Sequence, residues 1–365
     1  MTQFLHDILR QPDELVRVIE YLNGAGRNSI QAAIDAVRGA RHVYLTGIGA
    51  SWNAALAAGS IFHSGGKPVY MLDAAELLHF SKLPPDAVIL VLSRSGRSVE
   101  IVKLLLKARE CRATIIGVTN FEDGPLAREA DLPIVVPVKA DHGISVNTYS
   151  SLAATAAAIA SGVVRSFDEK LASDLVQSIA KLKEKLSEWQ SELQNTSWLI
   201  PGAPYYFLAR GPSLASAYEA CLMWQEGAKS PAAAMGTGSF CHGPQEVMTK
   251  DFRAAIWIDS KRMRDQDLAI ARDMRNTGAS LMLIGQNLPH DSGDLVVDLP
   301  PSPPDWQFLT DIIPAQLALD RLAHISGVDC DSFRFASYIV EEDNSLLSRG
   351  VTSPFPARPA RVRQD

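Results

Sequence analysis

The apolar positions of this chain fall in short uninterrupted runs rather than in alternation. In the first half they read "HVYLTGI" (42–48), "AVILVLS" (87–93), "ATIIGVTN" (113–120) and "LPIVVPV" (132–138). A strand with one wet face alternates apolar and polar residues, whereas a strand covered on both faces stays apolar, as in a parallel sheet. The segments between the runs are long enough for crossover helices. The order then restarts with "YYFLARG" (205–211), "RAAIWID" (253–259), "SLMLIGQ" (280–286) and "DLVVDLP" (294–300). The first turns also correspond: Gly49-Ala50-Ser51 and Gly211-Pro212-Ser213 each lead into a run of small residues. Because the order restarts, one large sheet is disfavoured. The pattern predicts an α/β chain of two doubly wound parallel-sheet units of four strands each, arisen by internal duplication.

The division expected is an N-terminal helical segment (1–30), a first α/β domain (31–167), a linker helix (168–195), a second α/β domain (196–345) and a Pro/Arg-rich tail (346–365). The charged face of the linker, helical over 168–193, suits a helix lying on a surface. A further helix is expected over 311–328, and the tail should be extended or disordered. With 365 residues, 47% apolar and 21% charged, the chain has an ordinary globular balance and enough length for a large core.

Charge and composition narrow the partners. A net charge of −6 argues against nucleic acid, which needs a basic face. Cys111, Cys221, Cys241 and Cys330 are far apart with no CxxC or zinc spacing, as reduced thiols in a cytoplasm would be. The start, "MTQFLHDILRQPDELVRVIEYL", reads as an amphipathic helix without the apolar core of a signal peptide. "LAATAAAIASGVV" (152–164) is too short and alanine-rich for a membrane span. It reads as a buried helix whose small residues offer a close-packing surface for assembly. No metal is implied, since no His/Cys/Asp cluster is visible.

Two turns carry candidate chemistry. In open parallel sheets ligands sit beyond the carboxyl ends of the strands. There the chain has "GIGASWNA" (47–54) and "SRSGRS" (93–98). Gly49 and Gly96 permit tight turns and close ligand approach. The helices that follow offer free N–H groups and a positive dipole end. Ser51, Ser93, Ser95 and Ser98 add hydroxyl donors, and Arg94 and Arg97 add positive charge. For a single serine turn the simpler role is a helix cap. Two such turns on neighbouring strands point to an anion site, one per chain, because "WIDSKRMRDQD" in the second half lacks the serines. "GIGASW" lacks GxGxxG spacing, so no nucleotide cofactor is indicated. In "RGPSLASAYEACLMWQEGAKSPAAAMGTGSFCHGPQEVM" (210–248), Glu219 and Glu226 are seven apart on a predicted helix and share nearly one face. Their apolar surroundings, with Trp224 and Met223 beside Glu226, should raise a carboxyl pKa, as proton transfer requires. His242 follows in a rigid "CHGP" turn.

On these motifs the chain resembles the tandem sugar-isomerase (SIS) domain proteins, over roughly residues 20–345. It is similar to the isomerase half of glutamine–fructose-6-phosphate aminotransferase and to its free-standing relatives, among them fructosamine-phosphate deglycases and a class of glucosamine-6-phosphate deaminases. "GIGASWNAA" looks like the family's first-strand turn and "SRSGRSVE" like its phosphate loop. "RGPSLASAYEACLMWQEGAKSPAAAM" looks like its catalytic helix and "GSFCHGPQEV" like its HGP turn. The resemblance implies two flavodoxin-like SIS domains and no cofactor. It implies that Ser51, Ser93, Ser95 and Ser98, with Gly49 and the backbone of Gly96, hold a sugar phosphate. It makes Glu226 the base that moves a proton between C1 and C2, and Glu219 a second acid. It makes His242 the ring-opening residue, supplied by the neighbouring subunit of a homodimer. Asn147 and Thr148 of the interdomain loop and Arg334 and Tyr338 of the C-terminal segment fall at further substrate-binding positions.

The departures are lysines: family positions that carry lysine hold Met223, Tyr149 and Tyr338 here, and Ser239 stands where the HGP turn usually has an acid. Without an N-terminal Cys or room for a glutaminase domain, the chain is not expected to make its own ammonia. The expected function is a cytoplasmic phosphosugar isomerase, deaminase or deglycase acting on an amino-substituted sugar phosphate. The rival reading is a non-catalytic sugar-phosphate-binding regulator, since fold alone does not fix function.

Overall fold

A computed structural model describes residues 1–335 and 339–342. Tyr338 and the tail at 346–365 lie outside the described residues. Two helices, α1 (Gln3–Asn23) and α2 (Arg27–Gly39), lead in. The first sheet region runs β1 (His42–Thr46), α3 (Ala50–Ser64), β2 (Tyr70–Met71), α4 (Ala74–Phe80), β3 (Ala87–Leu92), α5 (Val99–Cys111), β4 (Thr114–Thr119), α6 (Pro125–Glu129) and β5 (Leu132–Val135). Two long helices follow, α7 (Asn147–Val164) and α8 (Glu169–Asn195). The second region runs β6 (Tyr205–Ala209), α9 (Leu214–Glu226), β7 (Ala232–Gly236), α10 (Thr237–Phe240), β8 (Arg253–Trp257), α11 (Arg264–Asn276), β9 (Ser280–Gly285) and β10 (Leu295–Asp298). The short α12 (Phe308–Asp311) and α13 (Ile313–Ile325) divide the single helix expected over 311–328.

Both sheets are parallel and five-stranded, ordered β2-β1-β3-β4-β5 and β10-β9-β8-β6-β7. Counted from its own first strand, the second sheet has the same 2-1-3-4-5 order as the first, which is the flavodoxin-like order. The expectation of four strands per unit is corrected by β2 and β7. Both are edge strands with little side-chain signal: β2 has two residues, and β7 is "AAAMG", without β-branched residues. In the first sheet His42 to Thr46 pair with Ala87 to Val91 in register. The two polar turns therefore leave adjacent strands at the same edge.

The two sheets share one core. Phe62 and Ala157 belong to the same apolar cluster as Trp224, Trp257 and Ile313. α7 is buried continuously from Asn147 to Gly162. Its alanines let α3 pack closely along it, and α3 packs in turn on α9. The alanine surface is thus spent inside the chain and is not an assembly surface. Among the described residues no helix is long and apolar enough to cross a membrane.

The first turn of the second half is closed from within. Ser213 donates its hydroxyl to Asp311 Oδ2 at 2.6 Å, and Ser216 donates to Asp311 Oδ1. Trp257 Nε1 donates to the Asp311 carbonyl at 2.9 Å. The carboxyl is fully buried. Burial pushes it up from 3.8 to about 6, with the two serine hydroxyls opposing the rise. The unfolded chain therefore releases this proton first. Asp311's contribution to stability is full below its ordinary value of 3.8 and is lost as pH rises through about 6. A shift of about two units corresponds to ~3 kcal/mol. On going from about pH 4 to pH 7, the wild type should lose roughly that much relative to Asp311→Asn, read by urea unfolding at stepped pH. Parallel curves for the two proteins would show that Asp311 ionises in the fold at the same pH as in the unfolded chain.

Candidate active site

The site begins where β1 and β3 end. After β1 the chain turns at Gly49, with φ +56°, and puts Ser51 in the first turn of α3. After β3 the Ser93–Ser98 turn is tied by its own hydroxyls. Ser93 Oγ accepts from the Gly96 amide at 3.1 Å, and Ser95 Oγ accepts from the Arg97 amide at 3.2 Å. Each hydroxyl keeps its own proton for a ligand. Gly96 has φ +66°, and a Cβ there would stand 2.7 Å from Leu126 Cβ. Gly124 lies against the Ser95 carbonyl, where a side chain would collide with it. Ser98 takes the N-cap position of α5 but makes no side-chain cap bond. The capping role is therefore not what its hydroxyl does. The first amide of α5, Val99 N, donates instead to the Val340 carbonyl at 3.0 Å.

These turns open into one pocket of about 290 Å³, lined by Gly49, Ser51, Ser93, Ser95, Ser98, Arg94 and Glu226 among others. Its far wall is Gly143–Ser145. Arg94 reaches that wall, donating to the Gly143 carbonyl at 2.9 Å and the Asp141 carbonyl at 3.0 Å. Arg97, expected to add charge here, pairs with Asp123 at 2.7 Å and does not line the pocket. The Gly96 amide, expected to hold the anion, is already engaged by Ser93.

Glu226 comes from the other half of the chain, as the last residue of α9. Met223 and Trp224 just before it are fully buried in the core. Burial pushes the Glu226 carboxyl from 4.5 to about 7, against the charges of Lys229 and Arg94. Ile144 and Phe333 add apolar surface to the wall of the same pocket. Glu219 is in a different setting. It is almost completely buried, does not line the pocket, and accepts a hydrogen bond from Asn53 Nδ2 at 2.9 Å. Burial holds it well above the ordinary carboxylate range; the Asn53 bond opposes this and the Glu226 charge adds to it.

The remaining expected residues are dispersed. His242 is exposed after α10 and lines neither pocket that Glu226 touches. Asn147 and Thr148 are buried and face Asp141 rather than the pocket. Thr148 Oγ1 donates to Asp141 Oδ2 at 2.6 Å, and Asn147 Nδ2 donates to Asp141 Oδ1 at 2.8 Å. Arg334 lines an adjoining pocket of about 500 Å³ that also contains Glu226, Lys229 and Phe333. Lys229 is not among the residues that the sequence motifs mark. It sits three residues after Glu226 with φ +51° and donates to the Ser332 carbonyl at 2.6 Å. Burial, then the Arg334 charge, pull its ammonium below the ordinary value. Outside the pocket, His6, Asp7 and His142 come together in a cluster that no sequence spacing reveals.

With this geometry in place, the likeness to known proteins is specific. The chain carries a SIS domain: residues 36–163, from within α2 to the end of α7, match the SIS domain family model. Over 343 residues it is 24% identical to the isomerizing glutamine–fructose-6-phosphate aminotransferase of Pyrobaculum aerophilum, covering 90% of this chain and 56% of that protein. The chain thus spans just over half the length of that relative. In three dimensions it is similar to the C-terminal domain of glucosamine-fructose-6-phosphate aminotransferase from Francisella tularensis, with a TM-score of 0.81, 19% identity and coverage of 91% of this chain and 98% of that one. It is also similar to glucosamine-6-phosphate deaminase from Thermotoga maritima, with a TM-score of 0.78, 19% identity and coverage of 93% and 99%. The chain shares its fold with both of these structures.

Gly96→Ala tests the turn. A side chain at positive φ that also meets Leu126 should cost about 1–3 kcal/mol of stability, read by chemical denaturation. It should also weaken inorganic phosphate binding measured by calorimetry. A variant as stable as wild type would mean that the turn tolerates a Cβ by shifting Leu126.

Proposed function

We propose that the chain is an enzyme that moves a proton between C1 and C2 of an amino-substituted sugar phosphate. The observation that carries this reading is one pocket, lined by five serines and two glutamates, that brings the four serines of the two turns together with Glu226, whose carboxyl is pushed up to about 7. The serine hydroxyls and the Arg94 charge suit a phosphate. A base works best when its pKa lies near the working pH, and Glu226 meets that condition. Isomerisation, deamination and deglycation all begin by abstracting a proton α to a carbonyl or imine, so Glu226 takes the same first role in each. His242, exposed and not among the residues that line this pocket in its own chain, would come from a second copy and open the sugar ring. The absence of His242 from the pocket lining favours one other reading, a sugar-phosphate sensor that binds without turnover.

Solvent-deuterium incorporation next to the carbonyl, followed by NMR across a panel of sugar phosphates, separates the two. Turnover needs Glu226 ionised, so exchange should be slow below its pKa, rise as pH passes about 7, and then level off. Glu226→Gln should cut exchange by about 10²–10⁴-fold with phosphate-driven binding nearly intact. No exchange by the wild type with any sugar phosphate would sink the enzyme reading, and undiminished exchange in Glu226→Gln would remove Glu226 from its role.

Assembly is tested separately. His242→Ala should impair closed-ring substrates more than open-chain analogues. Mixed with Glu226→Gln under conditions that exchange subunits, it should recover part of the lost activity, because one mixed site then has both native residues. A fully active monomer in sedimentation would contradict a contribution from a second copy.

A further inference from the structure

We propose that His6, Asp7 and His142 form a site for a divalent transition-metal ion of the zinc class, tying α1 to the loop that walls the pocket. One potential ligand atom from each residue lies within 4.8 Å of the other two. His142 Nδ1 is 3.0 Å from Asp7 Oδ1, and His6 Nδ1 is 3.8 Å from the same oxygen. A tetrahedral ion with bonds of about 2.0–2.2 Å holds its ligands roughly 3.3 Å apart. The atoms are therefore close to ligating distance, and small rotations of the two imidazoles complete the approach. Both rings are free to make them, with side chains 49% and 41% exposed. Water can fill the remaining coordination position.

Asp7 is the fixed member. Its side chain is 1% exposed. Oδ2 accepts from the His142 amide at 2.9 Å, and Oδ1 accepts from Arg10 Nε at 3.0 Å. Carboxylate ligands of metal sites are oriented by hydrogen bonds of this kind. The second lone pair of Oδ1, which His142 Nδ1 now uses, is the one a metal takes when the imidazole becomes a ligand. Arg10 opposes a cation, but its charge is divided. It also bonds Glu14 and Asp141, and it donates to the carbonyls of Lys139 and Ala140. Arg17 pairs with Glu14 as well. Arg10 and Arg17 are thus shared among the carboxylates of Asp7, Glu14 and Asp141, and neither is given over to Asp7 alone. Two imidazoles and one carboxylate favour zinc, nickel, cobalt or copper over calcium and magnesium, which prefer all-oxygen shells.

The position gives the ion a consequence. His142 lies between the two carbonyls that bind Arg94, and Gly143–Ser145 form the pocket wall. An ion on His142 links α1 to that wall. The site does not depend on the reaction proposed above.

The test uses the untagged full chain. Co²⁺ is titrated by visible absorption and Zn²⁺ by calorimetry, against His6→Ala and His142→Ala. Both histidines are exposed, so the variants should fold, and circular dichroism checks this. The expected result is one equivalent bound, with affinity reduced about tenfold or more in each variant. Zn²⁺ at roughly a hundredfold excess over Kd should raise Tm by about 2–5 °C in the wild type and in neither variant. No saturable binding, or binding unchanged in both variants, overturns the site; the second result would place the ion elsewhere in the chain. Metal binding without a rise in Tm overturns the clamp.

Discussion

Asp141 seats its carboxylate against the start of a helix that has no access to water, and the architecture of the pocket depends on that contact. The first amides of a helix have no partner within it, and when buried they must find one. α7 is buried from its first residue, and its N-cap residue Val146 offers no side-chain bond. Asp141 reaches back from the loop instead. It accepts from the amides of Val146 at 3.0 Å, Asn147 at 3.0 Å and Thr148 at 2.9 Å, and from the Thr148 hydroxyl at 2.6 Å. Leaving such donors unmade would cost about 1–3 kcal/mol each. The loop so folded presents the carbonyls of Asp141 and Gly143 to Arg94, and Arg94 belongs to the serine turn. Helix start, pocket wall and anion turn are therefore one hydrogen-bonded unit. A change in any of the three is felt by the other two.

The two halves share a strand order and part company at their first turns. In the first half, Ser51 and the serines after β3 face open space. In the second, Ser213 and Ser216 are spent on Asp311, a carboxyl of the chain itself. Hydroxyls clustered at strand ends attract an acceptor, and here the chain supplies one. Asp311 ends α12, and its buried carboxyl takes up both hydroxyls of the turn. The polar turns that remain open are on one sheet only.

What the sequence reveals follows from where each signal is made. Strands buried on both faces advertise themselves as apolar runs, and eight of the ten strands lie where such runs lie. β2 and β7 are held by backbone pairing at a sheet edge, so their side chains carry no mark of it. The serine turn and Glu226 are legible because the residues that define them are local: a strand end with a glycine at positive φ, and the end of one helix. Asn147 and Thr148 are the opposite case. Their hydroxyl and amide look available in the sequence, and only the tertiary placement of Asp141 shows that they are taken. Arg97 is drawn off by Asp123 in the same way. Lys229 is near in sequence, but its approach to Glu226 depends on a left-handed turn that the residue type does not announce. The His6–Asp7–His142 cluster joins segments about 135 residues apart, which no local pattern can encode.

The pocket is divided between halves, and this makes the packing of α3 on α9 a functional dimension. Ser51 and Asn53 are both in the opening turn of α3. Glu219 and Glu226 are both on α9, two turns apart. The Asn53–Glu219 hydrogen bond is buried, and the carboxyl it holds is pushed towards its neutral form. A neutral carboxyl can accept from Asn53 without placing a second negative charge near Glu226. Had Glu219 stayed ionised, its charge would have raised the Glu226 pKa further and kept the base protonated at neutral pH. Burial of Glu219 therefore does two things. It locks the register of α9 against α3, and so the span from the Ser51 hydroxyl to the Glu226 carboxyl. It also keeps the titration of Glu226 close to neutrality, where burial opposed by the Lys229 and Arg94 charges places it.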